Sequence, residues 1–362
     1  MRALLLASLP AVMALGGCVS LPEPRTVACA DAKRPEIRIS EDGRTASTRI
    51  DVLTYNVEGL PKRVRPGRTG ALRELGIRLA SMRAAGTAPG IVMFQEVFSR
   101  SARRAVVAAD YPSLASGPSA KDRPPRPRQR SLPGRANLRK GELGIKLASS
   151  GLVIASDYPV LASGRQPFAR GSCAGFDCLS NKGIVFALVA IPGVPATIDL
   201  FNTHMNSRGA SRVAERRNLA AHQKQSREVL GFVGMHSDPD TPTIFGGDFN
   251  MRGSDERFAE FSRWKPLTLV HGYCLEQASR CDVRMSWDGD EPWMDTQDLQ
   301  LFRSGTVVKA RPVRVEAMFD GGKGGPRLSD HDGFRVIYEL SWPAAMTPPA
   351  PCALAASLSF RP

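Results

Sequence analysis

The chain of 362 residues is short of several things that would have marked its class at once. It contains no Cys-x-x-Cys pair and no cysteine/histidine spacing of the zinc-binding kind, which argues against a thiolate metal site. No internal repeat is found along it. The apolar run at the N-terminus, residues 3–15, is too short to span a bilayer, which takes about 20 residues. Negative charge is in deficit: 35 Asp and Glu face 49 Lys and Arg, a formal net charge of +14. That balance points to a polyanion, an anionic membrane surface or an anionic substrate.

What is present is a globular composition, in a chain long enough for one large or two ordinary domains and a sizeable core. Arg2 ahead of the run 3–15 reads as an export signal. The small residues before Cys18 resemble a bacterial lipobox, which implies removal of residues 1–17 and lipidation of Cys18; the alternative is an ordinary cleaved signal in which Cys18 is incidental. Val19, in place of an aspartate, then implies an outer-membrane lipoprotein facing the periplasm or the outside. Residues 18–48, polar and without periodicity, are expected to be a tether. Six further cysteines in an exported chain suggest disulfides; Cys173 with Cys178 and Cys274 with Cys281 are close enough for short loops, which leaves Cys29 with Cys352.

The segment Thr241-Pro-Thr-Ile-Phe-Gly-Gly-Asp-Phe-Asn-Met251 is the chemical centre of the sequence. If Ile244 and Phe245 are in a buried strand, the glycines let the backbone leave it tightly, and period-2 alternation puts Asp248 and Asn250 on one side. Gly-Asp-x-Asn is equally ordinary turn chemistry. Four other apolar runs also end in polar groups: Val52-Leu-Thr-Tyr-Asn56, Ile91-Val-Met-Phe-Gln-Glu96, Ile198-Asp-Leu-Phe-Asn-Thr-His204, and Ser329-Asp-His-Asp-Gly333 leading into a fifth strand. Strand ends that converge on one rim are where sites are built.

In this order and spacing the five motifs resemble the endonuclease/exonuclease/phosphatase superfamily, which includes deoxyribonuclease I and the neutral sphingomyelinases. The resemblance implies a four-layer α/β/β/α sandwich of two mixed sheets flanked by helices, over residues 49–342, with residues 343–362 as a tail. It also implies a metal-dependent phosphodiesterase that works with Mg²⁺, Mn²⁺ or Ca²⁺.

The local patterns fit an α/β chain. Strands are expected at 50–57, 91–95, 151–155, 183–191, 196–201, 243–247, 298–303, 306–318 and 333–340, and helices at 71–82, 100–109 and 210–235. Residues 274–295 read as loops. Residues 117–141 carry eight Lys or Arg against Asp122 and five prolines, the pattern of a mobile basic loop. It is either a solvated excursion or an electrostatic arm for phospholipid headgroups or nucleic acid.

By resemblance, Glu96 and Asn56 hold the metal and Asp330 is a water-bridged ligand. His331 is the general base, suited by its ordinary titration range, provided a carboxylate fixes its tautomer. Asp298 is assigned that place, with Asp295 as the alternative. Asp248 orients the attacking water; Asn250 and His204 donate to the phosphate oxygens. His222, His236, His271 and Asp332 read as structural. Ser180-Asn-Lys-Gly183 before an apolar strand resembles a segment of bacterial sphingomyelinases. A phospholipid-headgroup phosphodiester is therefore the expected substrate, ahead of nucleic acid or a phosphomonoester. The chain is expected to be monomeric, and a lipoprotein that binds polyanions with an idle site is the reading from another class.

Overall fold

The computed structural model describes residues 19–126, 131–263, 267–277, 279–285 and 298–346. In chain order its first elements are β1 (Arg38–Ile39), β2 (Thr45–Asn56), α1 (Arg68–Ala84), β3 (Ile91–Gln95), α2 (Arg100–Ala108), β4 (Ser113–Ser116), β5 (Val153–Ser156), β6 (Val160–Pro167), β7 (Gly183–Ala190) and β8 (Thr197–His204). There follow α3 (Glu215–His236), β9 (Thr243–Asp248), α4 (Asp255–Ser262), β10 (Thr268–Leu269), α5 (Val270–Glu276), β11 (Asp282–Arg284), β12 (Asp298–Arg303), β13 (Lys309–Met318) and β14 (Gly333–Pro343).

Two mixed sheets form, one ordered β11-β13-β14-β2-β3-β5-β4 with β1 added to β2, the other β10-β12-β9-β8-β7-β6. Alternate side chains of their central strands serve different cores, which explains why these runs are apolar throughout and not alternating. Ile50 and Val52 of β2, Ile91 and Met93 of β3, Leu200 of β8 and Ile244 of β9 meet between the sheets. Leu53, Tyr55, Val92 and Phe94 point the other way, onto Leu72, Leu75 and Leu79 of α1 and Ala102, Ala105 and Val106 of α2. Phe201 and Phe245 face away on the opposite side, onto Val229, Phe232 and Val233 of α3 and Phe261 of α4. The result is the α/β/β/α sandwich.

Near one end the interior turns polar, with Thr54 Oγ1 and Gln95 Oε1 left unpaired among bonded neighbours. The Gln95 amide donates to Asn202 Oδ1 at 2.7 Å across the sheets, and Gln300 donates to the carbonyls of Val52 and Phe334 at 3.0 and 3.1 Å. Gly246 allows the sheets to approach there, because a Cβ would fall 2.5 Å from Thr54 Oγ1 and 2.6 Å from Met93 Sδ. The glycine therefore serves close packing rather than the exit from the strand that its sequence context suggested, and β9 continues through it to Asp248.

Three expectations are corrected. Residues 21–48 do not hang free. Arg25 exchanges both backbone hydrogen bonds with Leu114, Val27 N–H donates to Ser113 Oγ, Leu21 is buried, and β1 pairs with β2. The physical reason is that β4 is an edge strand whose outer N–H and C=O groups need partners, and this segment covers them. The described parts of the basic loop are pinned as well: the Asn181 amide donates to the carbonyls of Ser119 and Asp122, and Arg217 donates to those of Pro133 and Gly134. Finally, α5 and β11 occupy part of the stretch expected to be loops. Cys173 is bonded to Cys178 and Cys274 to Cys281, while Cys29 is disulfide-bonded and Cys352 and Cys18 lie outside the described residues.

Candidate active site

Strand register gathers the polar ends. β2 and β3 run parallel with Asn56 opposite Gln95, and β8 and β9 run parallel with His204 opposite Asp248. β12 runs antiparallel to β9, which sets Asp298 opposite Asp248. β14 is antiparallel to β2, so the loop ahead of Gly333 arrives at the same rim carrying His331.

His331 Nδ1 lies 3.1 Å from Asp298 Oδ1, and the second oxygen of Asp298 accepts the Asn56 N–H at 3.1 Å. Asp295, the alternative partner, is outside the described residues. Ser329 fixes the histidine loop: its hydroxyl donates to the Asn56 carbonyl at 2.7 Å and accepts the His331 N–H at 3.2 Å. Asp248 Oδ2 accepts from the Asn56 amide at 2.9 Å and stands 3.3 Å from His204 Nε2 and 3.9 Å from His331 Nε2. Glu96 completes the group, with Oε1 3.9 Å from His204 Nε2. Its backbone is left-handed (φ 60°), an uncommon conformation for a non-glycine residue and one that concentrates at functional sites. Glu96 and His331 keep 18% and 13% of their side chains open while Asp248, Asp298 and His204 keep 2%, so the first two are the members of the group that reach the surface.

Asn250 is also left-handed (φ 52°), its N–H bonded to Asp248 Oδ1 at 2.9 Å and its amide to the Met205 carbonyl at 3.1 Å. Strand alternation therefore stops at Asp248, and a turn closed by the aspartate itself positions Asn250. Asp330 is exposed, with an oxygen 3.4 Å from Ser329 Oγ, on the outer side of the loop. Asp332 lies 3.8 Å from Arg327. The remaining histidines serve elsewhere: His222 Nε2 is bonded to the Phe249 carbonyl, His271 stacks on Phe334, and His236 packs on Phe232.

The electrostatics are those of carboxyls taken out of water beside a histidine that they hold protonated. Burial raises the Glu96 carboxyl to about 7 despite Lys182 and His331 nearby, and raises Asp248 to about 6. Burial on its own would push His331 down, but Asp298, Asp248 and Asp330 together hold it well above 6.5. His204 is driven well below that value by burial and by Lys182 and His331, so it is neutral at physiological pH. Asp248, Asp298 and His331 have ligand atoms mutually within 4.8 Å, and Glu96 and Asn56 border them. Hard oxygen donors in carboxylate excess fit a divalent cation of the magnesium kind.

Two residues were not assigned roles from the sequence. Lys182, 6% exposed, places Nζ 2.9 Å from His204 Nε2 and 3.0 Å from the Met205 carbonyl while pairing with Asp177. An ammonium only donates, so His204 Nε2 accepts from Lys182 and is not the donor to phosphate that the sequence suggested. The available signal was a lysine directly ahead of a fully apolar strand. Arg257 is wholly buried and donates to the carbonyls of Asn206 and Asn250, at 2.9 and 2.7 Å, and to Asn218 Oδ1. Nothing in its exposed-looking helix sequence marks it.

A buttressed histidine facing a second carboxylate, with an acid at a strained strand end, on the rim of a four-layer sandwich, is an arrangement able to move protons to and from water. The Endonuclease/Exonuclease/phosphatase family model matches residues 53–331, and the chain belongs to that family, whose members are metal-dependent phosphodiester hydrolases. Comparison with curated proteins found no match. Among solved structures, a mutant of beta toxin from Staphylococcus aureus with bound magnesium ions is similar at 17% identity, over 80% of this chain and 99% of that one, with a TM-score of 0.56. Sphingomyelinase C from Streptomyces griseocarneus is 19% identical over 80% and 98% of the two chains (TM-score 0.55). TDP2 from D. rerio, complexed with a single-strand DNA product, is 17% identical over 80% and 98% (TM-score 0.53). At these identities the likeness is one of fold.

Proposed function

We propose that this protein hydrolyses the phosphodiester of a phospholipid headgroup by in-line attack of water, with His331 as base. The observation that carries the reaction is the His331–Asp298 contact at 3.1 Å beside Asp248. Asp298 accepts the Nδ1 proton, which leaves Nε2 as the basic nitrogen on the open side. A water held between His331 Nε2 and Asp248 Oδ2, which are 3.9 Å apart, is oriented by one and deprotonated by the other. Asn250 and the cationic Lys182–His204 pair offer positive potential to the phosphate oxygens as charge builds. Glu96 and Asn56, with Asp248 adjoining, would hold a divalent cation, Mg²⁺ being the first choice; when bound it neutralises phosphate charge and offsets the carboxylate field that keeps His331 protonated.

Support for a phospholipid is the Ser180–Gly183 segment, whose Lys182 reaches the site, together with the sphingomyelinase among the similar folds. Support for nucleic acid, the second reading, is the basic loop and the likeness to a DNA-product complex. An idle polyanion binder is disfavoured by the assembled dyad. We further read the chain as a monomeric, outer-membrane lipoprotein anchored at Cys18. Among the described residues no helix is long and apolar enough to cross a membrane. The test is Mg²⁺-dependent hydrolysis of sphingomyelin vesicles and plasmid DNA side by side, with His331→Ala as control. Phosphocholine release lost in the variant supports the phospholipid reading; nicked DNA alone replaces it with the nuclease, and silence on both defeats each.

A further inference from the structure

The stretch 131–147 leaves four large apolar side chains in solvent: Leu138 is 61% exposed, Leu143 44%, Ile145 49% and Leu147 47%. Phe176, 41% exposed, stands on the segment against which this stretch packs, through the Leu147 N–H to Leu179 carbonyl bond of 2.7 Å and the close approach of Gly141 to Leu179. Isolated exposed hydrophobics need no explanation, but five on two mutually docked segments call for one.

The charge that these two segments turn to solvent has one sign. Arg135 and Arg139 are exposed, and Lys140 reaches across to the carbonyl of the exposed Arg212. The only acid between residues 131 and 147 is Glu142, and its carboxylate is turned inward, accepting from Arg217 and from the N–H groups of Asn137 and Gly175. Asp177, next to Phe176, is likewise consumed by Lys182 and Ser207. The outward face therefore combines apolar tips with unopposed cations. A nucleic-acid backbone would use the cations and have no use for the leucines; the interfacial region of an anionic bilayer uses both.

We propose that this face docks the protein onto an anionic lipid surface, separately from any lipid anchor. The face borders the site through Asp177 and Lys182, whose Nζ is 2.9 Å from His204. Docking would thus bring headgroups to the rim; that purpose rests on the phospholipid reading, whereas the binding itself does not.

The test uses the chain from Val19 onward, within which all the contacts described above lie, so that no acyl chain contributes. Sedimentation with phosphatidylcholine vesicles, with and without phosphatidylglycerol, is measured for the parent, for Leu143→Ser with Ile145→Ser, and for Arg135→Glu with Arg139→Glu. Hydrolysis of bis(p-nitrophenyl) phosphate by the same samples reads the site without a membrane. The parent should bind the anionic vesicles, and each variant should lose at least about tenfold in partitioning, with soluble turnover unchanged. Vesicle binding retained by either variant overturns the proposal, as does a parent that ignores vesicles. Plasmid binding lost only in the arginine variant overturns it in favour of nucleic acid. Vesicle binding without turnover of the soluble diester sustains the surface and counts against the catalytic reading instead.

Discussion

Replacing Asp298 by Asn tests the central contact with little change of shape. The side chain is 2% exposed, and one of its oxygens accepts the Asn56 N–H at 3.1 Å, a bond that the Asn carbonyl can keep. The other atom then faces His331 Nδ1 as an N–H donor, which favours the tautomer with its proton on Nε2, the nitrogen needed as base. In a histidine dyad of this geometry, loss of the buttressing carboxylate lowers kcat by about 10³ to 10⁴, or about 4 to 5 kcal/mol of barrier, with little change in KM. A second readout follows from charge. Asp298, Asp248 and Asp330 together hold His331 well above 6.5, so removing one lowers its pKa. The base acts when deprotonated, so activity rises with pH through that pKa, and the acid limb of kcat should move to lower pH in the variant. Stopped assays of a soluble diester across pH, with thermal unfolding to verify the fold, give both numbers. A kcat within tenfold of the parent, on an unmoved acid limb, would refute the pairing and bring Asp295 forward.

Glu96→Gln should raise the Mg²⁺ required for half-maximal rate; an unchanged metal titration places the ligand elsewhere. Because burial raises the Glu96 carboxyl to about 7, above its unfolded value, its contribution to metal-free stability is present in acid and lost as pH rises through about 7. In chelator the variant should match the parent near the ordinary glutamate pKa and exceed it in urea midpoint above neutrality; equal midpoints at both pH values contradict the assigned burial. Arg257→Met leaves the carbonyls of Asn206 and Asn250 without their buried donor and should cost about 3 kcal/mol in urea unfolding, with kcat falling as Asn250 loosens; a cost below about 1 kcal/mol would show that the guanidinium is dispensable. Gly246→Ala drives a methyl between the sheets and should destabilise by about 3 kcal/mol, read from the same transition; a neutral change would mean that the sheets can part locally.

The long apolar runs specified strands β3, β7, β8, β9 and the second half of β2 because burial on both faces leaves no alternation to misread, and helix α1 followed from the 3.6-residue spacing of Leu72, Leu75, Leu79 and Met82. Edge elements escaped: β6, eight residues long, carries Gly164, Arg165 and Gln166 on a half-open strand, and β10 has two residues, so neither has a pattern to detect. The site was legible as a set of polar strand ends, since an aspartate or histidine directly after a buried run has few places to go. What the sequence could not contain was register. Whether His331 meets Asp298, and whether Asp248 lies opposite both His204 and Asp298, depends on strand pairings that join His204 to Asp248, Asp248 to Asp298 and, much farther apart in the chain, Thr54 to Phe334, and a shift of one residue would turn each side chain to the other face. Likewise Lys182 and Arg257 look like surface cations in one dimension. Only the packing of the sheets and helices, by removing water from around them, makes each a fixed donor that holds the site's loops in place.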